Sequence, residues 1–340
     1  MKLVDTRNAV GHVLCHDLTK IVPGEYKGAA FRKGHVVRKE DIEPLLNMGK
    51  EHLYVWEKLP GMLHEDEAAA VLLAVCQGGH MRASKPVEGK IELIAEVDGL
   101  LTVDVEGLRR VNSLSEMMIA TRLHGTPVKA GDKLAGMRVI PLTIEAAKME
   151  TVKLAAGERP LLALHPFRPL RVGVITTGGE VANGRIQDGF TPVLAKKLKD
   201  YGCEIGWHEL PGDDSARITE EILRMRREGA EMVLCTGGMS VDPDDRTPLA
   251  VKKTGAKIVS YGAPALPGAM FLLSYLDDVP VVGLPGCVMY AGRTVFDLIL
   301  PRLLAGLRVT PQELAGLGHG GLCLNCETCI FPNCGFGRGV

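Results

Sequence analysis

From Arg171 onward, short apolar strand patterns alternate with helical patterns, and this alternation constrains the fold more than any other feature of the chain. The predicted strands cover 172–176, 203–208, 232–235, 257–260, 270–275 and 279–284, the last two as a hairpin around Leu276-Asp277-Asp278. The predicted helices cover 190–201, 215–229, 248–253 and 287–305. Strands that alternate with helices form a sheet covered on both faces. The sequence therefore predicts a three-layer α/β/α domain with a mostly parallel sheet over residues 168–305.

The first 165 residues have a different pattern. Residues 1–60 alternate apolar and polar positions around a short helical pattern, which predicts a small α+β unit. Residues 61–165 begin with a helical pattern at 65–76 and continue with strand patterns, so we expect a β-rich middle domain. Asp98-Gly99 predicts a hairpin turn between two of these strands. Residues 164–169 are interpreted as a linker, and residues 306–340 as a tether and a tail.

Composition excludes several classes of protein. The chain has 340 residues, with 40 basic against 41 acidic residues and a net charge of −1. The chain as a whole therefore lacks the excess positive charge that would attract nucleic acid or anionic lipid. No apolar run approaches the ~18 residues of a membrane span, and the first residues lack a signal pattern. We therefore predict a cytoplasmic protein that binds neither nucleic acid nor a membrane.

Glycine and acidic residues follow four of the predicted strands. The four segments are Thr176–Glu180, Leu210–Asp214, Thr236–Asp245 and Gly283–Gly286. The carboxyl ends of parallel strands lie at one edge of the sheet, where α/β proteins bind ligands. Paired glycines let backbone N–H groups approach a phosphate, and carboxylates suit a divalent cation. Together the four segments predict a site for a ligand that carries phosphate.

In order and spacing, these segments resemble one known family. Residues 171–305 are similar to the molybdopterin-binding domain shared by molybdopterin molybdenumtransferases (insertases) and molybdopterin adenylyltransferases. The matching residues are Thr177-Gly178-Gly179-Glu180, Ile186-Gln187-Asp188, Gly212-Asp213-Asp214, Gly237-Gly238-Met239-Ser240-Val241, Asp245 and Gly283-Leu284-Pro285-Gly286. Ser240-Val241 is insertase-like, whereas residues 245–250 are closer to the adenylyltransferases.

The resemblance implies a site, cofactors and a reaction. It implies a catalytic role for Asp245, Asp188 and Glu180. It implies ligand binding by Thr177, Gly178, Gly179, Asp213, Asp214, Thr236, Gly237, Gly238, Ser240, Asp242, Pro285 and Gly286. The implied cofactor is Mg²⁺, the implied ligand is molybdopterin or its adenylylated form, and the implied reaction is insertion of molybdate with release of AMP. A homo-oligomer is also implied.

Three departures from the family pattern keep a second function open, and the first is that residues 1–165 lack the signatures of the insertase N-terminal half. Insertases place a pair of lysines around a Pro-Gly, and Leu266-Pro267-Gly268-Ala269 has neither. Cys287 stands where the family usually has Asn, at the predicted start of a helix, which would lower its thiol pKa. The alternative to a transferase is a non-catalytic carrier of molybdopterin or of the molybdenum cofactor, or a redox or metal sensor.

Four of the nine cysteines crowd into the tail. Cys323, Cys326, Cys329 and Cys334 have the spacing C-x2-C-x2-C-x4-C, which approaches the ferredoxin pattern C-x2-C-x2-C-x3-C-P. Four thiolates also suit tetrahedral zinc, and metal-free thiol chemistry is the third alternative. The tight run favours a 4Fe–4S cluster. Residues 316–321 are interpreted as a flexible tether that lets the tail reach the molybdopterin site or a partner, such as a molybdoenzyme or another biosynthetic protein.

Overall fold

The computed structural model describes residues 2–22, 25–55, 60–240 and 246–339. Up to residue 166 the strands are β1 (Lys2–Asp5), β2 (Leu18–Val22), β3 (Tyr26–Phe31), β4 (His52–Val55), β5 (Met62–His64), β6 (Met81–Ala83), β7 (Ile91–Ala95), β8 (Gly99–Val103), β9 (Met117–Thr121), β10 (Thr126–Val128), β11 (Lys133–Val139), β12 (Thr143–Glu145) and β13 (Leu162–Pro166). The helices of this part are α1 (Ile42–Asn47), α2 (Glu65–Cys76), α3 (Val105–Asn112) and α4 (Ala146–Ala156).

The rest of the chain alternates strands and helices. The strands are β14 (Arg171–Thr176), β15 (Glu204–Glu209), β16 (Met232–Thr236), β17 (Lys257–Tyr261), β18 (Leu272–Leu276) and β19 (Val279–Leu284). The helices are α5 (Gly179–Ala182), α6 (Phe190–Lys199), α7 (Ser215–Arg227), α8 (Thr247–Lys253), α9 (Val295–Leu304) and α10 (Pro311–Gly316). Within the described ranges, no helix is both long and apolar enough to cross a membrane.

The chain forms two compact units, and each is assembled from separated stretches of sequence. The first unit contains Met1–Glu96, Val103–Arg122 and Gly131–Ala163, and the second contains Val97–Thr102, Leu123–Ala130 and Leu164–Val340. The domain boundaries expected from the sequence, at 60, 165 and 305, stay predictions.

The first unit is built from small antiparallel sheets. These are the pairs β1–β4, β2–β3 and β5–β12, and a four-stranded sheet in the order β6-β7-β11-β9. Helix α2 packs on β11 and buries its alanine-rich face, with Ala68, Ala69 and Leu72 fully buried. Helices α3 and α4 were not predicted, so this part of the chain has more helix than the sequence patterns indicated.

The predicted hairpin at Asp98-Gly99 is wrong. Strand β7 pairs with β6 and β11, whereas β8 pairs with β10 in a different sheet. Gly99 is the first residue of β8, and a Cβ atom on it would lie 2.4 Å from the carbonyl oxygen of His165. The glycine therefore allows a close approach of two backbones.

The predicted linker at 164–169 is also corrected, because its first residues belong to strand β13.

The second unit contains the predicted α/β domain. Its six-stranded sheet has the order β15-β14-β16-β19-β18-β17. Strands β15, β14, β16 and β19 are parallel, β18 runs antiparallel to them, and the edge strand β17, antiparallel to β18, runs in the same direction as the first four. The structure confirms the mostly parallel sheet and the hairpin at residues 276–278.

Helices cover both faces of this sheet. Strands β14 and β16 are buried along almost their whole length, as expected for parallel strands between two helical layers. Val174 and Leu234 point into a core with residues of α6 and α9. Val233 and Cys235 point into the opposite core with residues of α7 and α8. The three-layer α/β/α architecture is therefore confirmed.

One helix start differs from the prediction. The helix expected from residue 287 begins at Val295, because Thr294 caps it and the Thr294 N–H donates to Asp297 Oδ2 at 2.8 Å. Residues 286–289 form a short 3-10 helix instead. Helix α7 is capped by Asp214, whose carboxylate accepts the Ala216 N–H at 2.8 Å.

The segment expected to be a flexible tether is packed. Leu314 and Leu317 are buried in the second unit. The Leu266 N–H donates to the Gly321 carbonyl at 2.7 Å, and the Cys323 N–H donates to the Leu266 carbonyl at 2.8 Å. These bonds anchor the chain immediately before the four cysteines.

Candidate functional site

Three parallel strands end side by side in the second unit. Thr176 of β14 pairs with Thr236 of β16, which pairs with Leu284 of β19. All three residues are buried, so the strand ends form a rigid platform. The loops that follow, at 177–180, 237–240 and 285–286, consequently emerge at the same edge of the sheet. The fourth segment, 210–214, follows β15, which is parallel to β14 and ends beside it, so the structure brings all four predicted segments to one edge of the sheet.

Thr177 connects the loop after β14 to the end of β16 through hydrogen bonds. Its N–H donates to the Thr236 carbonyl at 2.8 Å, and its hydroxyl donates to the same oxygen at 3.1 Å. Thr177 is 3% exposed, and its polar atoms are directed into the protein. Thr177 and Thr236 therefore hold the loops in place.

The loop after β16 requires glycine at two positions. Gly237 has a φ of +80° and Gly238 a φ of +56°, in the left-handed region. A Cβ atom on Gly237 would lie 2.7 Å from Thr177 Oγ1, and one on Gly238 would lie 2.8 Å from Thr247 Oγ1. Thr247 is fully buried, and its hydroxyl donates to the Gly237 carbonyl at 2.9 Å. The loop is therefore tightly built, and its backbone is open to a ligand.

A cavity of about 500 Å³ opens above this platform. Predicted site residues line it from two loops: Gly237, Gly238, Ser240, Pro285 and Gly286. Its other lining residues are Met239, Ala269, Met270, Cys287, Met289 and Tyr290. Sequence reasoning missed Ala269 and Met270, although they adjoin the Pro267-Gly268 pair where the family pattern has lysines. It also missed Met289 and Tyr290, because no local pattern marks them.

The described lining of this cavity is uncharged. Ser240 is exposed, and Tyr290 is 81% exposed. Nearby, the Tyr261 hydroxyl donates to the Met239 carbonyl at 2.9 Å. Because these side chains carry no formal charge, an anionic group bound here would be held by backbone N–H groups and hydroxyls.

Cys287 differs from its predicted state. Burial raises the pKa of the Cys287 thiol, although a backbone hydrogen bond opposes this shift. The expected lowering by a helix N-terminus is wrong, because the helix begins only at Val295. The thiol is therefore protonated near neutral pH and contributes a weakly polar surface to the cavity.

Asp213 links two of the predicted loops. Its carboxylate accepts the Gly179 N–H at 2.7 Å, which ties the loop after β14 to the loop after β15. Asp213 is half-buried, and the neighbouring Glu180 is exposed. Two carboxylates thus lie on loops that a hydrogen bond holds together.

Asp188 accepts several hydrogen bonds at the start of α6. The Phe190 N–H donates to it at 2.8 Å, the Thr191 N–H at 3.2 Å, and the Thr176 hydroxyl at 3.3 Å. Burial would raise the pKa of Asp188, but hydrogen bonds from the Thr191 hydroxyl and from the Thr191 and Phe190 N–H groups, together with the proximity of His208, lower this pKa overall. Asp188 is therefore ionised and holds the first turn of α6, much as Asp214 holds that of α7.

The remaining predicted site residues fall into two groups. Asp242 and Asp245 lie outside the described residues, so their roles stay predictions. The four tail cysteines are described, and all four line a second cavity. Over the described ranges, no three or more His, Cys, Asp or Glu side chains are arranged to hold a single metal ion.

Two parts of the chain match known protein families. Residues 173–305 match the profile of a family described as "Probable molybdopterin binding domain". This match confirms the molybdopterin-binding type of domain predicted for residues 171–305. Residues 3–57 match a family described as a domain of unknown function.

Similar proteins share only part of this chain. A CinA-like protein of Mycolicibacterium vanbaalenii is 36% identical over 77 residues, which is 23% of this chain and 18% of that protein. This chain therefore spans less than one fifth of the length of that curated relative. MoaB of Thermus thermophilus, a molybdopterin biosynthesis enzyme, is 22% identical, covers 39% of this chain and 91% of its own, and has a TM-score of 0.33. MoaB of Pyrococcus furiosus, a tungsten cofactor synthesizing protein, is 20% identical, covers 40% and 93%, and has a TM-score of 0.34.

Proposed function

We propose that residues 171–305 bind molybdopterin or its adenylylated form, and that the protein acts in molybdenum cofactor biosynthesis. The observation that carries this proposal is the cavity of about 500 Å³ at the carboxyl ends of β16 and β19. It lies within the segment that matches the molybdopterin-binding family. The Gly237-Gly238 loop admits a ligand phosphate to backbone N–H groups.

The proposed reaction is Mg²⁺-dependent insertion of molybdate. Water attacks the phosphoanhydride of adenylylated molybdopterin, so that AMP leaves and the remaining phosphate stays on the pterin. Molybdate is bound by the two dithiolene sulfurs of the pterin, and the oxygens that they displace leave as water. Mg²⁺ in proteins is held by one or two carboxylates together with ligand phosphates. The exposed Glu180 and the half-buried Asp213, on loops joined through Gly179, fit this requirement. Asp245 is proposed as a further carboxylate, and the ion would neutralise charge on the phosphates.

Asp188 and Asp214 have a supporting role in this proposal. Both carboxylates accept N–H groups from the first turns of their helices. These bonds place the helix N-termini at the carboxyl edge of the sheet, where they favour an anionic ligand. Asp188, expected to be catalytic from the family resemblance, is therefore proposed to position its loop.

The second candidate function is a non-catalytic carrier or sensor. Ala269 lines the cavity beside Pro267-Gly268, where an insertase would place a lysine. Without that cation, a molybdate oxyanion is less strongly stabilised than in the insertase pattern. In this alternative, the site holds molybdopterin or the finished cofactor, and the four-cysteine tail senses redox state or metal.

AMP release from adenylylated molybdopterin distinguishes the two functions. The full-length protein is supplied with this ligand, molybdate and Mg²⁺, and AMP is quantified while pterin binding is followed by fluorescence. For a transferase, Asp245→Asn should lower the rate roughly 10- to 100-fold, by analogy with other mutations around bound metals. Asp200→Asn, at an exposed position after α6, is the matched control.

Each result of this experiment supports or excludes one of the two functions. Release that needs both molybdate and Mg²⁺ establishes the transferase. Binding without release over a long incubation establishes the carrier. If neither pterin species binds, both functions are wrong.

Three broader expectations remain proposals of the same kind. We expect a homo-oligomer, a cytoplasmic location, and a molybdoenzyme or another biosynthetic protein as the partner. Light scattering of the purified full-length chain tests the first of these. Cross-linking in cell extracts followed by mass spectrometry tests the partner.

A further inference from the structure

All four tail cysteines line one cavity that is separate from the strand-end cavity. This second cavity has a volume of about 440 Å³. Cys323 and Cys334 are half-buried, whereas Cys326 and Cys329 are exposed. The spacing of the cysteines alone did not require this arrangement, because an 18-residue tail can place its thiols on different surfaces.

The cysteine segment is fixed to the protein at both ends. Before it, the Cys323 N–H donates to the Leu266 carbonyl at 2.8 Å. After it, the Gly337 N–H donates to the Gly320 carbonyl at 2.9 Å, and Phe336 is only 4% exposed. The loop between these anchors surrounds the cavity. Binding of a metal centre there would therefore not require the whole tail to become ordered.

Arg293 lies at the wall of the same cavity. Its guanidinium donates to Asp297 at 3.0 Å and stacks 5.0 Å from the centre of the Phe331 ring. Its side chain and Cys329 line this one cavity. A cation at the wall of this cavity offsets the negative charge of a centre that the cysteines ligate.

We propose that this cavity binds an iron–sulfur cluster ligated by Cys323, Cys326, Cys329 and Cys334. Four cysteine thiolates are the ligand set of [4Fe–4S] clusters, and each thiol releases its proton on ligation. A single zinc ion sits about 2.3 Å from each sulfur and needs far less room than this cavity offers. Arg293 is the residue that tunes the cluster. The inference does not depend on the identity of the pterin ligand.

The site adjoins the strand-end cavity through one loop. Residues 286–293 follow β19, and Cys287 and Tyr290 line the first cavity. Gly292 and Arg293, a few residues further on, line the second. The cluster would therefore lie beside the candidate ligand site and not at a remote surface.

Metal and sulfide analysis of the full-length protein tests the proposal. The protein is purified without oxygen or reconstituted with ferrous iron and sulfide. We expect about four iron and four sulfide ions per chain, a broad absorption band at about 400 nm, and an electron paramagnetic resonance signal after reduction. Zinc at about one ion per chain without sulfide, before and after reconstitution, would overturn the proposal.

Serine variants test the ligands. Cys326→Ser and Cys329→Ser should lose most of the iron and the visible band. Cys287→Ser, at a half-buried cysteine outside this cavity, should retain both. Thermal melts of the metal-free variants check that they remain folded. Full iron and sulfide retention in a folded Cys326→Ser/Cys329→Ser double variant would exclude these ligands.

The role of Arg293 is tested separately, by the reduction potential of the cluster. Removing a positive charge next to a cluster disfavours the added electron, so Arg293→Gln should lower the reduction potential at unchanged iron content. Arg293→Lys, which keeps the charge, should stay closer to the native potential. An unchanged potential in a cluster-loaded Arg293→Gln protein would remove Arg293 from the proposal.

Discussion

At the scale of single residues, the loop after β16 depends on two residues without a side chain, Gly237 and Gly238. Gly237 and Gly238 adopt positive φ angles while threonine oxygens lie where their Cβ atoms would be. A larger residue would have to accept an unfavourable backbone conformation and displace a buried neighbour. The same two residues line the strand-end cavity, so a larger side chain at either position would also change the cavity wall.

Gly238→Ala should destabilise the protein more than a comparable glycine substitution elsewhere. Gly255 also has a positive φ, of +82°, but nothing lies within 4 Å of the position of its Cβ atom. Gly255→Ala should therefore cost only the left-handed conformation, about 1–2 kcal/mol of unfolding free energy. Gly238→Ala should add roughly 1–3 kcal/mol from the contact with Thr247. Denaturant unfolding of both variants measures the difference, and equal losses would contradict the steric argument.

Asp188 should contribute to stability in a pH-dependent way. Its folded-state pKa lies below the ordinary value. The contribution is therefore present above the unfolded pKa of about 3.9 and is lost as pH falls through the lower folded pKa. Unfolding free energies measured between about pH 7 and pH 3 should decline less for Asp188→Asn than for the native protein. The exposed Asp200→Asn should follow the native curve, and a parallel decline in Asp188→Asn would refute the assignment.

At the scale of secondary-structure elements, caps decide where the helices begin. The apolar pattern from 287 to 305 suggested one long helix, but the capping box of Thr294 and Asp297 starts α9 at Val295. The chain before it remains in a loop that lines both cavities. The position of this cap therefore determines which residues of this segment line the two cavities.

Removing the Thr294 hydroxyl should destabilise α9. Thr294→Ala loses the side-chain acceptor for the Phe296 N–H and should cost about 1 kcal/mol of unfolding free energy. Thr294→Ser keeps the hydroxyl and should lose less. Denaturant unfolding with matched slopes tests this pair, and an equal loss in both variants would assign the effect to packing of the buried methyl group.

At the scale of the whole molecule, the second unit is assembled from three stretches of chain. Strand β8 carries Thr102, whose hydroxyl lies 2.9 Å from His165 Nε2. The Phe167 N–H donates to the Asp98 carbonyl at 3.1 Å, and Arg338 donates to the Thr126 hydroxyl at 2.8 Å. Segments distant in sequence thus complete the unit that holds both cavities.

The α/β domain should be less stable when it is excised at its predicted boundaries. A fragment of residues 168–305 lacks β8, β10 and β13, together with the buried residues of α10. We expect it to melt at a lower temperature than the corresponding transition of the full chain, or to aggregate. A fragment of residues 164–340, which regains α10 and the tail, should be intermediate. Equal melting of the short fragment and the full chain would show that the domain is autonomous.

The sequence alone determined the features that depend on local pattern. Buried strands alternating with amphipathic helices predicted the α/β/α layers and the parallel strands, because the period of apolar residues reports which face is covered. Glycines and acidic residues after the strands predicted the edge where β14, β16 and β19 end. The tight hairpin at Asp277 was predicted for the same reason, since its turn chemistry is local.

Only the tertiary structure decided which distant segments meet. Gly99 resembled a turn residue, yet it allows β8 to approach His165, which is 66 positions away in the sequence. Met289 and Tyr290 line the strand-end cavity without any local signal, and the four tail cysteines line one cavity with Arg293. Such contacts depend on long-range packing and strand pairing, which the periodicity of a single segment does not encode.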